Sequence, residues 1–537
     1  MVRPGTYSPL KDKNNIALTK KMKPVIEDAS SVDANGLDGG CDDAVAEEGD
    51  LELWDSRYML RGDQHSADGA FGNSRWGPRG WCRPSCIPIT IILILIVLVV
   101  LLPLLDHQNS HHGKGGSSSN SSVCEDSCRF TLVESIPEGL TYPPGSTPHP
   151  STYQTWMTMI ENAENSIEIA SFYWTLRGSD IYKHPSAWQG EDVFKALMEA
   201  GANRSITLRI AQNFPNPKQP NLDTEDLIRH GAAEVRSVNF PRLVGGGVLH
   251  TKLWIVDRKH VYIGSANMDW RSLTQVKELG AAIYNCSCLA ADFGKIFDIY
   301  WFLGLPESEI PGEWPDIFDT AYNIFHPMSV PFNGTEALTY VGSSPPSFCP
   351  DGRSTDLLTI QEVIRTAEKF IYISVMDYLP LIIYEPKVQL WQVIDDALRE
   401  AAVNRRVEIR LLISEWNSTK PSMDYFLRSL AAISGSYRGV TVRVKHFKVS
   451  STAEQAKIPF ARVNHNKYMV TDNTAYIGTS NWSGDYFTKT GGVGLVVRDN
   501  ATEASSPESK SSIRGQLQAI FERDWSSRYS TPINLSD

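Results

Sequence analysis

The chain has 537 residues, a formal net charge of −11 and a pI near 5.6. That length exceeds one ordinary domain and predicts two or three units. The acidic balance excludes a surface that coats polyanions broadly, so an anionic substrate must be gripped locally, in a pocket.

Residues 1–86 are polar, rich in Gly and Asp and without sustained periodicity, the composition of a disordered tail. Tyr7-Ser8-Pro9-Leu10 has the form of a tyrosine-based sorting signal, although so short a pattern often arises by accident. Residues 87–105 form an uncharged apolar run of nineteen, enough for one transmembrane helix. The run starts too deep in the chain for a cleaved signal peptide. Arg75, Arg79 and Arg83 precede it and Asp106 follows, which places the N-terminus in the cytosol and the rest in a lumen (type II). Cys82 and Cys86 abut the span as palmitoylation candidates. Residues 106–130 read as a lumenal stalk, in which His111 and His112 belong to a solvated Gly/Ser linker rather than to a metal site.

The remainder divides into two similar halves, 131–330 and 331–530, with a short tail at 531–537. The first runs from a strand at 166–174 to a helix near 191–201, a strand at 206–212, a helix near 223–231 and a strand at 233–240. The second repeats that order at 370–378, 391–402, 407–414, 422–433 and 440–447. This pattern predicts an α/β fold of two homologous lobes with mostly parallel sheets.

Each half ends this series with one motif. The first reads His250-x-Lys252, then Asp257, then Gly264-Ser265-Ala266-Asn267. The second reads His465-x-Lys467, then Asp472, then Gly478-Thr479-Ser480-Asn481. On an extended chain His and Lys two apart face the same way. An imidazole, an ammonium and an amide brought together are the equipment for attacking a phosphodiester. A neutral imidazole serves as nucleophile and a protonated one as general acid, while lysines and asparagines hold the non-bridging oxygens. With one histidine per half, the site is expected at the pseudo-twofold interface of the lobes. No acidic cluster has metal-ligand spacing, so no metal or cofactor is expected, and one chain can complete a site whether or not it forms a homodimer.

Asp257 and Asp472 stand at strand ends, where a salt bridge or a turn cap is the favoured role. Glu278 lies 28 residues after His250 and is a candidate to orient that imidazole, against the alternative of a surface glutamate. The second half has no acid at the corresponding place, where Gly492 stands with Lys489 nearby, so the orienting group of His465 is unassigned. Phe172, Tyr173 and Trp174 are weighed as a base-stacking platform, with an aromatic strand entering a core favoured.

Cys124, Cys128, Cys286 and Cys288 make two short-spaced pairs that invite two disulfides between stalk and core, with three connectivities open. A zinc site is the rival, and the lumenal context favours disulfides. Cys349 is left over. Asn120, Asn203, Asn285, Asn333, Asn417, Asn500 and Asn534 are glycosylation candidates, whereas Asn481, also in such a triplet, is expected to be buried in the second motif.

The doubled HxKxxxxD pattern resembles the signature of the phospholipase D superfamily. The stretch Gly264–Gly280, the segments at 132–140 and 284–288, and those around His465 and Tyr476–Phe487 resemble its members three and four in particular. This resemblance runs from about Cys124 to Tyr529. It implies phospholipase D-type lobes, with His250 as the nucleophile that becomes a phosphohistidine and His465 as general acid, then base. It implies phosphate binding by Lys252, Lys467, Asn267 and Asn481. The implied activity is removal of nucleotides from the 5′ end of single-stranded DNA or RNA in endosomes and lysosomes. There it would limit nucleic-acid sensing, and the type II precursor of the endoplasmic reticulum and Golgi would release a soluble ectodomain. The alternative implied activity is a lipid-directed transphosphatidylation on a lysophospholipid that makes a lysosomal phospholipid (bis(monoacylglycero)phosphate).

Overall fold

The structure, a computed structural model, describes residues 124–217, 219–499 and 512–535. The expected tail, membrane span and most of the stalk lie outside them, as do Asn120 and Asn500. Among the described residues no helix is long and apolar enough to cross a membrane.

In chain order the first half contributes β1 (Arg129–Ser135), α1 (Thr152–Glu161), β2 (Ser166–Ser171), α2 (Trp188–Ala202), β3 (Thr207–Asn213), α3 (Leu222–Arg229), β4 (Glu234–Val238), β5 (Leu253–Val256), β6 (His260–Gly264), β7 (Glu278–Tyr284) and α4 (Ser287–Leu303). The second contributes β8 (Met328–Phe332), β9 (Thr335–Ser344), α5 (Asp356–Thr366), β10 (Phe370–Val375), α6 (Val393–Asn404), β11 (Glu408–Ser414), α7 (Pro421–Ala431), β12 (Val442–Phe447), β13 (Lys467–Thr471), β14 (Thr474–Gly478), β15 (Gly492–Asp499), α8 (Ile513–Trp525) and β16 (Ser530–Pro532). The order strand, helix, strand, helix, strand is present twice, as the periodicity predicts. Helix starts follow local chemistry. Ser151 and Gln154 form a reciprocal capping box on α1, and Thr355 caps α5.

The sheets are not mostly parallel, and the expectation is corrected here. Their orders are β1-β7-β6-β5-β2-β3-β4 and β8-β9-β15-β14-β13-β10-β11-β12-β16. Within these two sheets only β2-β3-β4 and β10-β11-β12 run parallel, because only they are joined by helical crossovers. Each motif strand instead turns back at once into its neighbour. The β5–β6 turn carries Asp257 and Arg258 at φ +53° and +51°, a local reversal that enforces an antiparallel pair.

α1 and α2 cover one face of the first sheet through Trp156, Leu197 and Trp254. α5, α6 and α7 cover one face of the second. The opposite faces share one apolar cluster containing Ile255 and Ile263 from one half, Val470 and Ile477 from the other, and both α4 and α8. One continuous core therefore fixes the two lobes face to face. Where β6 and β7 meet, a side chain on Gly264 would lie 2.6 Å from the Gly280 Cα, so both positions require glycine.

Two disulfides, Cys124–Cys288 and Cys128–Cys286, tie the start of the described chain to α4, and Cys349 is free. Asn203, Asn285, Asn333, Asn417 and Asn534 are exposed, whereas Asn481 is fully buried. Asn333 also has a structural task, its amide pairing with both the N–H and the carbonyl of Phe130.

Candidate active site

Each histidine is delivered by a segment that bonds across the lobe interface. His250 N donates to the Gly491 carbonyl and Gly491 N to the Val248 carbonyl. In the pseudo-symmetric place Lys277 N donates to the Val463 carbonyl and His465 N to the Lys277 carbonyl. Each histidine is thus set by the residue one before Gly492 or Glu278 in the opposite lobe. His250 and His465 line one cleft together with Asn267, Glu278 and Tyr173.

The two imidazoles differ in what holds Nδ1. His250 Nδ1 donates to the Thr479 carbonyl at 2.9 Å. His465 Nδ1 donates to the Glu278 carboxylate, at 2.9 and 3.1 Å from its two oxygens. Glu278 is fully buried at the start of β7. The expectation for this residue is therefore corrected: it is no surface glutamate and orients His465, not the histidine of its own half. Spacing within one half cannot reveal a contact made across the interface. The asymmetry has a steric basis in the second lobe, where a Cβ on Gly492 would come within 2.2 Å of the Ser480 Oγ. That place is crowded by side-chain hydroxyls, and a backbone carbonyl serves His250 instead. The ring of His250 also packs between Phe172 and Tyr486, with centroids 5.5 and 5.0 Å away.

Lys252 and Lys467 are buried beside their histidines, each ammonium donating to the carbonyl of the histidine two before it, at 2.6 and 2.9 Å. Asn267 Nδ2 donates to the Tyr173 hydroxyl and Asn481 Nδ2 to the Tyr486 hydroxyl. Tyr173 in turn donates to Asp269 at 2.9 Å, and burial, followed by the Asp269 charge, pushes its hydroxyl well above the usual tyrosine range. Asp269 is ion-paired with buried Arg271.

Asp257 and Asp472 lie at the far ends of β5 and β13 and serve as turn caps. Asp257 accepts from the backbone N–H groups of Glu164, Asn165 and Ser166, and Asp472 from those of Glu368, Lys369 and Phe370. These caps pin the entries of β2 and β10 to the motif strands. Burial opposes ionisation of Asp257, but the three N–H bonds hold its carboxyl below the usual range.

Sequence reasoning placed Phe172 and Tyr173 in a core. They are buried, yet they line the cleft. Tyr486, Asp269 and the Thr479 carbonyl were missed. Asp269 and Arg271 stand two apart just after the first Asn, a local pattern that would have marked them. Nothing in the sequence marks a backbone carbonyl.

Two α/β lobes with paired HxK segments meeting at one cleft define a phospholipase D-like phosphodiesterase architecture. The chain belongs to this family, since the model described as "PLD3/4, PLD-like domain" matches residues 145–452. It is 50% identical over 414 residues to the 5'-3' exonuclease PLD3 of Homo sapiens, covering 77% of this chain and 82% of that protein. It is 52% identical over 412 residues to the PLD3 exonuclease of Xenopus laevis (76% and 82% covered). It is 46% identical over 409 residues to the 5'-3' exonuclease PLD4 of Mus musculus (76% and 80% covered).

Proposed function

We propose that this chain is a 5′→3′ exonuclease of single-stranded DNA and RNA that works through a phosphohistidine on His250. The observation that carries the assignment of roles is the pair of Nδ1 partners. A carbonyl only accepts, so the Nδ1 of His250 keeps its proton and Nε2 offers a lone pair: the nucleophile. A carboxylate supports positive charge on the other ring, so His465 is the group that gives a proton from Nε2.

His250 Nε2 forms a bond to phosphorus as the P–O5′ bond to the rest of the strand breaks, and that 5′ alkoxide takes the His465 proton, leaving the terminal nucleotide on His250. His465, now neutral, takes a proton from water. The hydroxide displaces His250 from phosphorus and regenerates the starting state. Lys252, Lys467, Asn267 and Asn481 hold the non-bridging oxygens and offset the charge of the five-coordinate transition state. Those ammonium groups supply the charge a metal would, so the reaction is metal-independent. Names of relatives at about 50% identity support the nuclease reading. The apolar run at 87–105, the disulfides and the exposed glycosylation candidates support a type II precursor acting in endosomes and lysosomes.

The test uses the purified chain with a chelator at pH about 5, beside His250→Ala. A 5′-hydroxyl single-stranded oligonucleotide labelled at its 3′ end should shorten stepwise from the 5′ end with the wild type only. The pH profile should be bell-shaped with an acidic optimum, because the two histidines act in opposite protonation states. An untouched oligonucleotide with the chain well folded would move the assignment to lysophospholipid transfer by the same phosphohistidine, a reading consistent with the apolar run at 87–105. Loss of activity restored by added zinc or magnesium would overturn the metal-free mechanism.

A further inference from the structure

A second cavity adjoins the histidine cleft. It shares Tyr173 and Phe460 with that cleft and extends along Trp174, Thr175, Gln219 and Asp180. Tyr173 is the partition: its hydroxyl reaches Asn267 and Asp269 on the phosphate side, while the residue also forms part of the side cavity. Phe460 comes from the opposite lobe. It stands at φ +54°, a backbone region an aromatic residue rarely occupies. Its loop is held there from the first lobe, with Arg271 donating to the Pro459 carbonyl at 2.6 Å and Arg462 to Gln275 Oε1 at 3.1 Å. Strain of this kind persists only where the surroundings impose it, and it gathers at ligand sites.

Tyr173, Trp174 and Phe460 give the cavity three aromatic walls beside aliphatic Ile181, Pro220 and Leu222, and some of the polar atoms among them are unsatisfied. Gln219 Nε2 and Thr175 Oγ1 are buried with no hydrogen-bond partner among the described residues. Asp180 adds a carboxylate to the same wall, its Oδ1 accepting from Ser179 and its Oδ2 buried without a hydrogen bond among the described residues. Flat faces combined with donors and an acceptor at the edge suit a nucleobase, which stacks through its π-face and bonds through its rim. An acyl chain would use the aromatic faces and leave those polar atoms unpaired, at a cost.

We propose that this side cavity, lined by Phe460, is a nucleobase subsite that takes the base of one nucleotide flanking the scissile phosphate. The proposal rests on the exonuclease reading. It explains how a chain of net charge −11 grips an anionic substrate: the stacked base, not the backbone charge, carries the affinity. Gln219 and Phe460 are then specificity-determining residues.

The test compares three single-stranded oligonucleotides with the full chain: one with all bases, one abasic at the 5′-terminal position and one abasic at the second. One of the two abasic substitutions should lower kcat/KM by about 5- to 100-fold, chiefly through KM. Phe460→Ala should bring the base-bearing substrate down to the abasic rate and Phe460→Trp should restore the difference. Gln219→Ala should lower the rate for some bases more than for others. Equal cleavage of all three substrates by the wild type overturns the subsite without touching the exonuclease reading, and needs no variant to fold. A Phe460→Ala loss of equal size on all three substrates also overturns it, marking a structural role. Competition by a palmitoyl lysophospholipid that Phe460→Ala relieves, with no abasic effect, would assign the cavity to an acyl chain instead. If no oligonucleotide is cut by folded wild type, the exonuclease reading fails first and the subsite with it.

Discussion

Glu278 and Gly492 hold the same place in the two lobes, each two residues before the glycine that pairs with the end of the motif hairpin. One side chain thereby separates a histidine backed by a carboxylate from one backed by a carbonyl. Glu278→Gln keeps the shape and a hydrogen bond but removes the charge behind His465. We expect kcat to fall about 10²- to 10⁴-fold with an unchanged melting temperature and a displaced acid limb, read from kcat against pH. Asp257 makes the contrast. Asp257→Ala should cost about 1–3 kcal/mol in urea denaturation, through three lost N–H bonds, while the folded fraction keeps its kcat. Its carboxyl lies below the usual range when folded, so this stability is present near neutrality and is lost as pH falls through the depressed folded value. The HxKxxxxD spacing shows both aspartates equally beside the chemistry. Only the strand's length, carrying residue 257 to the end opposite His250, separates scaffold from site.

At the scale of the element, α1 and α5 begin at equivalent places, yet Thr152 opens one and Asp356 the other. Asp356 is fully buried against the Tyr476 hydroxyl, which donates to it at 2.8 Å. Burial pushes its carboxyl up to about 7 in spite of that bond. The folded chain therefore keeps a proton that the unfolded chain gives up above its ordinary value near 4. Stability contributed by this proton is complete at low pH, declines as pH rises from about 4 to 7, and is flat above. Asp223 in α3, pushed up to about 7 by burial, then by Asp180, acts in the same direction. Between pH 5 and 7 the wild type should lose about 2–3 kcal/mol per such group, and Asp356→Asn should abolish that group's share. Urea midpoints at the two pH values measure it; a wild type more stable at pH 7 would contradict the argument. The helices and parallel strands were legible because periods of 3.6 and 2 are local properties. The antiparallel remainder was not, since β1 pairs with β7 across roughly 150 residues and no local pattern encodes a partner.

Across the whole molecule the lobes are locked by a buried charge cluster behind the site. Lys277, next to Glu278, lies 2.7 Å from Asp524 at the end of α8, and Arg523 beside it pairs with Glu134 of β1. Burial works against ionisation of Asp524, but Lys277 and Arg523 hold its carboxyl below the usual range. Lys277→Met removes one of the two cations against buried Asp524, leaving it only Arg523, and should cost about 3 kcal/mol. With one core shared by both halves, far-UV circular dichroism and tryptophan fluorescence should report a single coincident urea transition; two separate transitions would refute the shared core.

The sequence by itself determined the duplication, the two His-x-Lys pairs with their asparagines and the cysteines that pair, because each rests on residue identity at short, fixed spacing. The tertiary structure decided which histidine Glu278 serves, which cysteine joins which, that Phe172 and Tyr173 face a cleft, and that Phe460 lines a cavity from the opposite lobe. All of these are contacts between segments distant in the chain, set by how two sheets meet across one apolar core, and a local pattern carries no information about that meeting.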